Sequence, residues 1–242
     1  MIKNLDYNLI SNGKNVILFL HGWGLDKNSF DCVIKKIYSN ISIMSLDFFG
    51  FGNSETPEKY FDTYEYAYHV FLLISELNFE NLIIVGHSFG GRIAIILSAV
   101  FGINVKSIIL TSSAGLNRMS IVKFVKIRLY KTLKFLVSKK IISRNFLLCF
   151  GSSDYKKLDN NMRGVFNKIV NQDLCFLLKK IIGNSYLIWD KKDKITPFWI
   201  CKKMRKNIKL SKIVLFKSGG HFCYMYNVNK FMVYVFNLIN QI

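Results

Sequence analysis

A serine hydroxyl becomes a nucleophile only where the chain projects it from a sharp turn toward a base, and Gly86-His87-Ser88-Phe89-Gly90-Gly91 has the composition of such a turn. An apolar strand-like run, Asn81 to Val85, precedes it and a helix-like run, Arg92 to Val100, follows it. Gly86 and Gly90 are small enough to let strand and helix close in on either side of Ser88. A hydroxyl placed in this way needs a base to take its proton, an acid to orient the base, and two N–H donors for the oxyanion. Among the histidines, His21 precedes the Gly22-Trp23-Gly24 turn and His69 lies in a tyrosine-rich helical stretch. His87 adjoins Ser88, with its side chain expected to point away. His221, in Gly219-Gly220-His221-Phe222, follows the last strand-like run, where loops at the carboxyl ends of parallel strands gather catalytic groups. It is the candidate base.

The acid is sought after the preceding strand, in Leu187-Ile188-Trp189-Asp190-Lys191-Lys192-Asp193. Asp193 lies in the loop beyond the strand, before Lys194-Ile195-Thr196-Pro197, and is the better placed to reach the next loop. Asp190, nearer the strand end, is expected to be a surface partner of Lys191 or Lys192, a pairing worth only about 0 to 1 kcal/mol. For the oxyanion, one donor is the N–H of Phe89, at the positive end of the following helix. The other is sought in His21-Gly22-Trp23-Gly24, with Trp23 as the donor. That loop read only structurally is a glycine turn closing a parallel crossover, and both roles are compatible. Ser120-Ile121-Val122-Lys123 matches S-x-x-K without its companion motifs, and Gly50-Phe51-Gly52 lacks the third glycine of a dinucleotide loop and the lysine of a P-loop. No cofactor and no metal site is expected.

The elements that must hold these groups are legible as alternation. Short aliphatic runs at Val16 to Leu20, Ile41 to Leu46, Leu82 to Val85, Val105 to Leu110, Tyr186 to Trp189 and Ile213 to Phe216 are apolar on both faces, as strands of a covered parallel sheet are. Helical-length segments lie between them: Phe30 to Tyr38, Thr63 to Leu77, Gly91 to Phe101, Phe198 to Lys206 and Asn229 to Ile239. The pattern predicts a doubly wound α/β domain from residues 1–116 and 181–242, interrupted by a helical cap over residues 117–180. Within Ser120 to Lys140, Lys123, Lys126, Lys131 and Lys134 fall on one broad arc, with Phe124, Val125, Leu129, Leu133, Leu136 and Val137 around much of the rest.

The chain has 242 residues, 51% of them hydrophobic, and a formal charge of +19 concentrated in Asn117 to Lys180, where 15 Lys or Arg face 3 Asp. Lysine enrichment of the whole chain competes with a functional reading of that segment. No nucleic-acid-binding motif accompanies the charge. Cys32, Cys149, Cys175, Cys201 and Cys223 are scattered, without a C-x-x-C pair, and read as free thiols of a reducing compartment. Met1 to Asn15 contains no apolar stretch of signal length, and the longest apolar run, Ile93 to Ile103, falls short of the roughly 20 residues that span a membrane. A soluble, cytoplasmic protein is expected.

Taken together, Leu18-Phe19-Leu20-His21-Gly22-Trp23-Gly24, Asp47-Phe48-Phe49-Gly50-Phe51-Gly52-Asn53-Ser54, the Ser88 turn, Asp193 and Gly219-Gly220-His221-Phe222 resemble the α/β-hydrolase family over nearly the whole chain. The chain order Ser88, Asp193, His221 is the order of that family. The resemblance implies an eight-stranded, mostly parallel sheet, a helical cap between the sixth and seventh strands, and a serine hydrolase; Ser88 disfavours the branches with an aspartate nucleophile. The family commonly has proline at the position of Phe49 and glycine at that of Asp190. The loop His21-Gly22-Trp23-Gly24-Leu25 is locally similar to that of the pimeloyl-acyl-carrier-protein methyl ester esterases.

The expectation is hydrolysis of a small-molecule carboxylic ester or thioester with an apolar acyl part. The alternatives are C–C cleavage of a vinylogous diketone by the same triad, and a non-catalytic ligand receptor. Phe124, Phe135, Phe146, Leu147 and Phe150 of the cap are expected to roof the pocket. The cap's cations are matched to an acidic acyl carrier protein or an anionic membrane surface.

Overall fold

The computed structural model describes residues 5–38, 40–117, 132, 135–139 and 158–242. Its strands are β1 (Tyr7–Ile10), β2 (Asn15–Leu20), β3 (Ser42–Leu46), β4 (Asn81–His87), β5 (Val105–Thr111), β6 (Asn184–Asp190) and β7 (Ser211–Phe216). Its helices are α1 (Asp31–Ile34), α2 (Thr63–Glu76), α3 (Phe89–Ala99), α4 (Asn160–Asn171), α5 (Trp199–Asn207), α6 (Cys223–Tyr226) and α7 (Val228–Ile239). The sheet runs β1-β3-β2-β4-β5-β6-β7, with β1 antiparallel to β3 and every other pairing parallel.

The sheet is buried on both faces because each strand alternates apolar residues between two cores. Val16, Leu18 and Leu20 of β2 join one core, while Ile17 and Phe19 join the other. β4 divides in the same way into Leu82 and Ile84 against Ile83 and Val85, and β6 into Leu187 and Trp189 against Ile188. Helices α2, α3, α4 and α5 cover the first face; α1, α6 and α7 cover the second. The start of α2 is fixed by a reciprocal cap, in which Asp62 accepts from the amides of Tyr64 and Glu65 and the Glu65 carboxylate accepts from the Asp62 amide at 2.6 Å.

Seven strands are present among the described residues, one fewer than expected. The strand β1 itself was not legible as a run, because its residues are half or fully exposed at a sheet edge. The helix expected over Phe30 to Tyr38 is only a 3-10 turn, Lys27–Phe30, followed by α1. The charged arc of Lys123, Lys126, Lys131 and Lys134 lies outside the described residues, as do Phe124, Val125, Leu129, Leu133, Phe146, Leu147 and Phe150. Phe135 is described, is helical and is exposed. Among the described residues, no helix is long and apolar enough to cross a membrane.

Candidate active site

Parallel strands β4, β6 and β7 end on the same edge of the sheet, so the loops that follow them emerge side by side. Ser88 follows β4, Asp193 follows β6 and His221 follows β7. Topology therefore brings to one rim three residues that lie more than a hundred positions apart at the extremes.

Ser88 has φ +49° and ψ −106°, a conformation that costs a non-glycine residue of the order of 1 to 3 kcal/mol. The surroundings hold it there. Its amide donates to Thr111 O at 3.2 Å, and its carbonyl accepts from Gly91 N at 3.2 Å and Ala114 N at 3.0 Å. A serine at a helix N-cap ordinarily spends its side chain on the first amides of the helix. Ser88 makes no such cap bond to α3, which leaves the hydroxyl for other work.

The glycines around it are required by contact. A Cβ on Gly86 would stand 2.7 Å from the carbonyl oxygen of Gly90, and one on Gly90 would run into the carbonyl of Leu20 and lie 2.7 Å from that of His21. The Gly90 amide donates to His21 O at 2.9 Å, so the serine turn is bolted onto the loop that carries Trp23. The rings of Trp23 and Phe89, the two residues expected to offer oxyanion donors, lie 5.5 Å apart edge to face.

Asp193 and His221 meet. His221 Nδ1 lies 2.9 Å from Asp193 Oδ2, and both are largely withdrawn from water. Asp193 Oδ1 accepts from the amides of Ile195 at 2.8 Å and Thr196 at 2.9 Å, and Oδ2 takes the Thr196 hydroxyl at 2.7 Å. Every partner is a donor, which suits the carboxylate anion. Burial pushes the Asp193 carboxyl up, but the hydrogen bond and charge of His221, together with the Thr196 donors, outweigh it and hold the group below its ordinary value. An anionic acceptor at Nδ1 selects the Nδ1–H tautomer of His221 and leaves the lone pair on Nε2.

Asp190 differs from its expected role. It is 2% exposed and cannot be a surface partner of Lys191 or Lys192. Its carboxylate accepts from Lys192 N at 2.8 Å and from Gly220 N at 2.9 Å, filling the space where the two loops converge. The ring of His87 is buried and lies against the candidate base, 4.8 Å from the ring of His221. Its Nε2 lies 2.9 Å from the carbonyl oxygen of His221, so Nε2 carries the proton and donates. Burial above all pushes the His87 ring down to about 3. His21 Nε2 accepts from Phe48 N at 3.0 Å while Nδ1 donates to Gly22 O at 2.8 Å, and burial pushes this ring down to about 4. Both histidines are neutral struts of the site.

Thr196 went unnoticed in the sequence. Its spacing from Asp193, three residues on with a side-chain acceptor in front, is an Asx-turn signal that points to it in hindsight. The contacts made by α4 were also invisible. Phe166 of α4 packs edge-on to Trp23 at 5.1 Å, and Trp23 in turn meets Phe51 at 4.9 Å. Arg92, buried in α3, donates to Gln172 O at 3.0 Å, while the Gln172 side chain takes the Thr63 amide at 2.8 Å and the Thr63 hydroxyl. Among the described residues no group of three or more His, Cys, Asp or Glu is arranged to hold a metal ion.

The model of the α/β hydrolase fold family matches residues 15–136, which contain the Trp23 loop and the Ser88 turn. The chain belongs to the α/β-hydrolase fold family. This α/β hydrolase is 29% identical over 237 residues to the AB hydrolase superfamily protein YisY of Bacillus subtilis, covering 88% of this chain and 86% of that one. It is 30% identical over 177 residues to the putative esterase/lipase 2 of Mycoplasma pneumoniae, covering 70% of this chain and 63% of the relative. Among solved structures, an esterase from Exiguobacterium antarcticum superposes with a TM-score of 0.74 at 22% identity, over 98% of this chain and 95% of that one. That likeness establishes the fold.

Proposed function

We propose that this α/β hydrolase cleaves a carboxylic ester or thioester with an apolar acyl part through a Ser88, His221, Asp193 triad. His221 Nε2 takes the proton of Ser88 Oγ as the oxygen attacks the carbonyl carbon. The tetrahedral oxyanion is held by the N–H groups of Trp23 and Phe89, and His221 returns the proton to the departing alkoxide or thiolate. Water then gives a proton to His221, attacks the acyl-enzyme and releases the acid, restoring Ser88.

The observation that carries the proposal is the buried 2.9 Å pairing of His221 Nδ1 with Asp193 Oδ2, on the rim where Ser88 is held at φ +49° without capping its helix. The preference for an apolar acyl part is supported by the aromatic lining of the oxyanion loop, where Trp23, Phe51, Phe89 and Phe166 contact one another.

The test is hydrolysis of a chain-length series of p-nitrophenyl esters by the protein and by Ser88→Ala, with methyl esters, acyl-carrier thioesters and an aryl-dienoate alongside. Ester or thioester turnover that disappears with Ser88 is the expected result. Turnover of the dienoate alone would replace ester cleavage by C–C cleavage. Binding without turnover, and without fluorophosphonate labelling of Ser88, would make the fold a receptor.

A further inference from the structure

Three atoms of one residue shape the acid loop and join it to the base loop. The main-chain carbonyl of Asp190 accepts from Asp193 N at 3.1 Å, its Oδ1 accepts from Lys192 N at 2.8 Å, and its Oδ2 accepts from Gly220 N at 2.9 Å. The first two bonds shape the turn that presents Asp193. The third fixes the Gly219–Gly220 peptide, one link before the amide of His221. That peptide needs fixing, because Gly219 and Gly220 have φ +98° and +54°, and glycine lacks the side chain that would restrain its backbone. Downstream, His87 holds the His221 carbonyl at 2.9 Å. The backbone of His221 is thus gripped on both sides while Asp193 holds its ring at 2.9 Å.

A carboxylate 2% exposed at the end of a parallel strand that is paired on both sides is costly unless its oxygens are used. Both oxygens are used on backbone amides of the two loops that must meet. We propose that Asp190 is a positioning residue of the site, a second buried carboxylate that sets the distance and angle between Asp193 and His221 by clamping their loops together. This rests on the triad reading of Ser88, Asp193 and His221.

An asparagine at this position fills the same volume but offers one acceptor oxygen to two amides, and its NH₂ group opposes an N–H. A glycine offers none. Loosening the base by a fraction of an ångström raises the barrier of a step that depends on alignment, for which displacements near 1 Å cost about a hundredfold. The expected result is a fall in kcat of about ten- to a hundredfold in Asp190→Asn and Asp190→Gly, with KM within about threefold of the native protein.

The experiment compares p-nitrophenyl ester kinetics and the rate of fluorophosphonate labelling of Ser88 in the native protein, both Asp190 variants, His221→Ala, and His221→Ala combined with Asp190→Asn. A residue that acts through His221 changes nothing once His221 is gone, so the combined variant labels at the rate of His221→Ala alone. A structural role would lower both backgrounds equally and overturn the proposal, as would native kcat in both Asp190 variants. The isosteric asparagine decides where the glycine variant fails to fold. Absence of Ser88-dependent labelling in the native protein would overturn the triad reading itself, an outcome the native arm alone reveals.

Discussion

Replacing Thr196 with valine removes one oxygen and leaves the shape of the side chain intact. That oxygen lies 2.7 Å from Asp193 Oδ2, 3.0 Å from Ser112 O and 3.2 Å from His221 Nδ1. It has one proton for two acceptors, so it is shared between the carboxylate and the Ser112 carbonyl. In Thr196→Val the carboxylate keeps its two amide donors and His221 but faces a methyl group in a site closed to water. A hydrogen bond to a charged acceptor is worth about 1.5 to 3 kcal/mol. If the whole of it were lost from the transition state, where His221 is cationic and leans most on Asp193, kcat/KM would fall by about ten- to a hundredfold.

The pH dependence of stability carries the same signature. The folded Asp193 carboxyl lies below its ordinary value, so the unfolded chain binds its proton first as the pH falls. The stabilisation is complete above the unfolded carboxyl range near about pH 4 and is lost as the pH drops through the lower folded value. In Thr196→Val a donor is missing, the folded value rises, and the total stabilisation shrinks. The assays are ester kinetics at neutral pH and urea unfolding across the acid range, with Thr196→Ser as the conservative control. Native kcat/KM together with an unchanged acid unfolding profile in Thr196→Val would refute the assignment of this hydroxyl to the acid.

A Gly90→Ala variant places a Cβ against the carbonyls of Leu20 and His21, neither of which is free to move; a loss of at least about 2 kcal/mol in urea unfolding and of Ser88 labelling is expected, and native stability would contradict the packing described. His87 and His21 remain neutral in the fold down to about 3 and about 4, while unfolded histidine takes up its proton below about 6.5, so stability is lost as the pH falls through that window. The variant His87→Gln is expected to reduce the slope of stability against pH between about pH 4 and 6 by up to about 1.4 kcal/mol per unit, and an unaltered slope would mean His87 is protonated in the fold. Phe166→Ala removes the ring that α4 rests on Trp23, an aromatic pairing worth about 0.5 to 1.5 kcal/mol. The expected result is a two- to tenfold fall in kcat/KM for short acyl chains, by about the same energy, with the optimum moved to longer ones; an unchanged chain-length profile would separate α4 from the acyl pocket.

Sequence alone determined the layers and the candidates of this protein. The strands β2, β4, β5 and β6 contain the apolar runs Val16 to Leu20, Leu82 to Val85, Ile108 to Leu110 and Tyr186 to Trp189 because both faces of a covered parallel sheet exclude water. Gly86 and Gly90 announced the Ser88 turn because only their size fits the contacts made there. The pairing of Asp193 with His221 was inferable from loop order, since parallel strands deliver successive loops to one edge. Edge strand β1 left no such trace, being exposed.

Only the tertiary structure decided what Asp190, His87 and Thr196 do. Beside two lysines, Asp190 looks like a surface acid; its burial depends on β7 arriving alongside β6, and its partner Gly220 is 30 residues away. His87 reaches a carbonyl 134 residues distant, and Arg92 and Thr63 meet at Gln172 across separate elements. Hydrogen bonds to backbone atoms far along the chain leave no mark on residue type at the accepting end, because every residue carries the same carbonyl and nearly every residue the same amide. Local sequence encodes which groups the chain can offer; the packing of distant loops determines which of them touch.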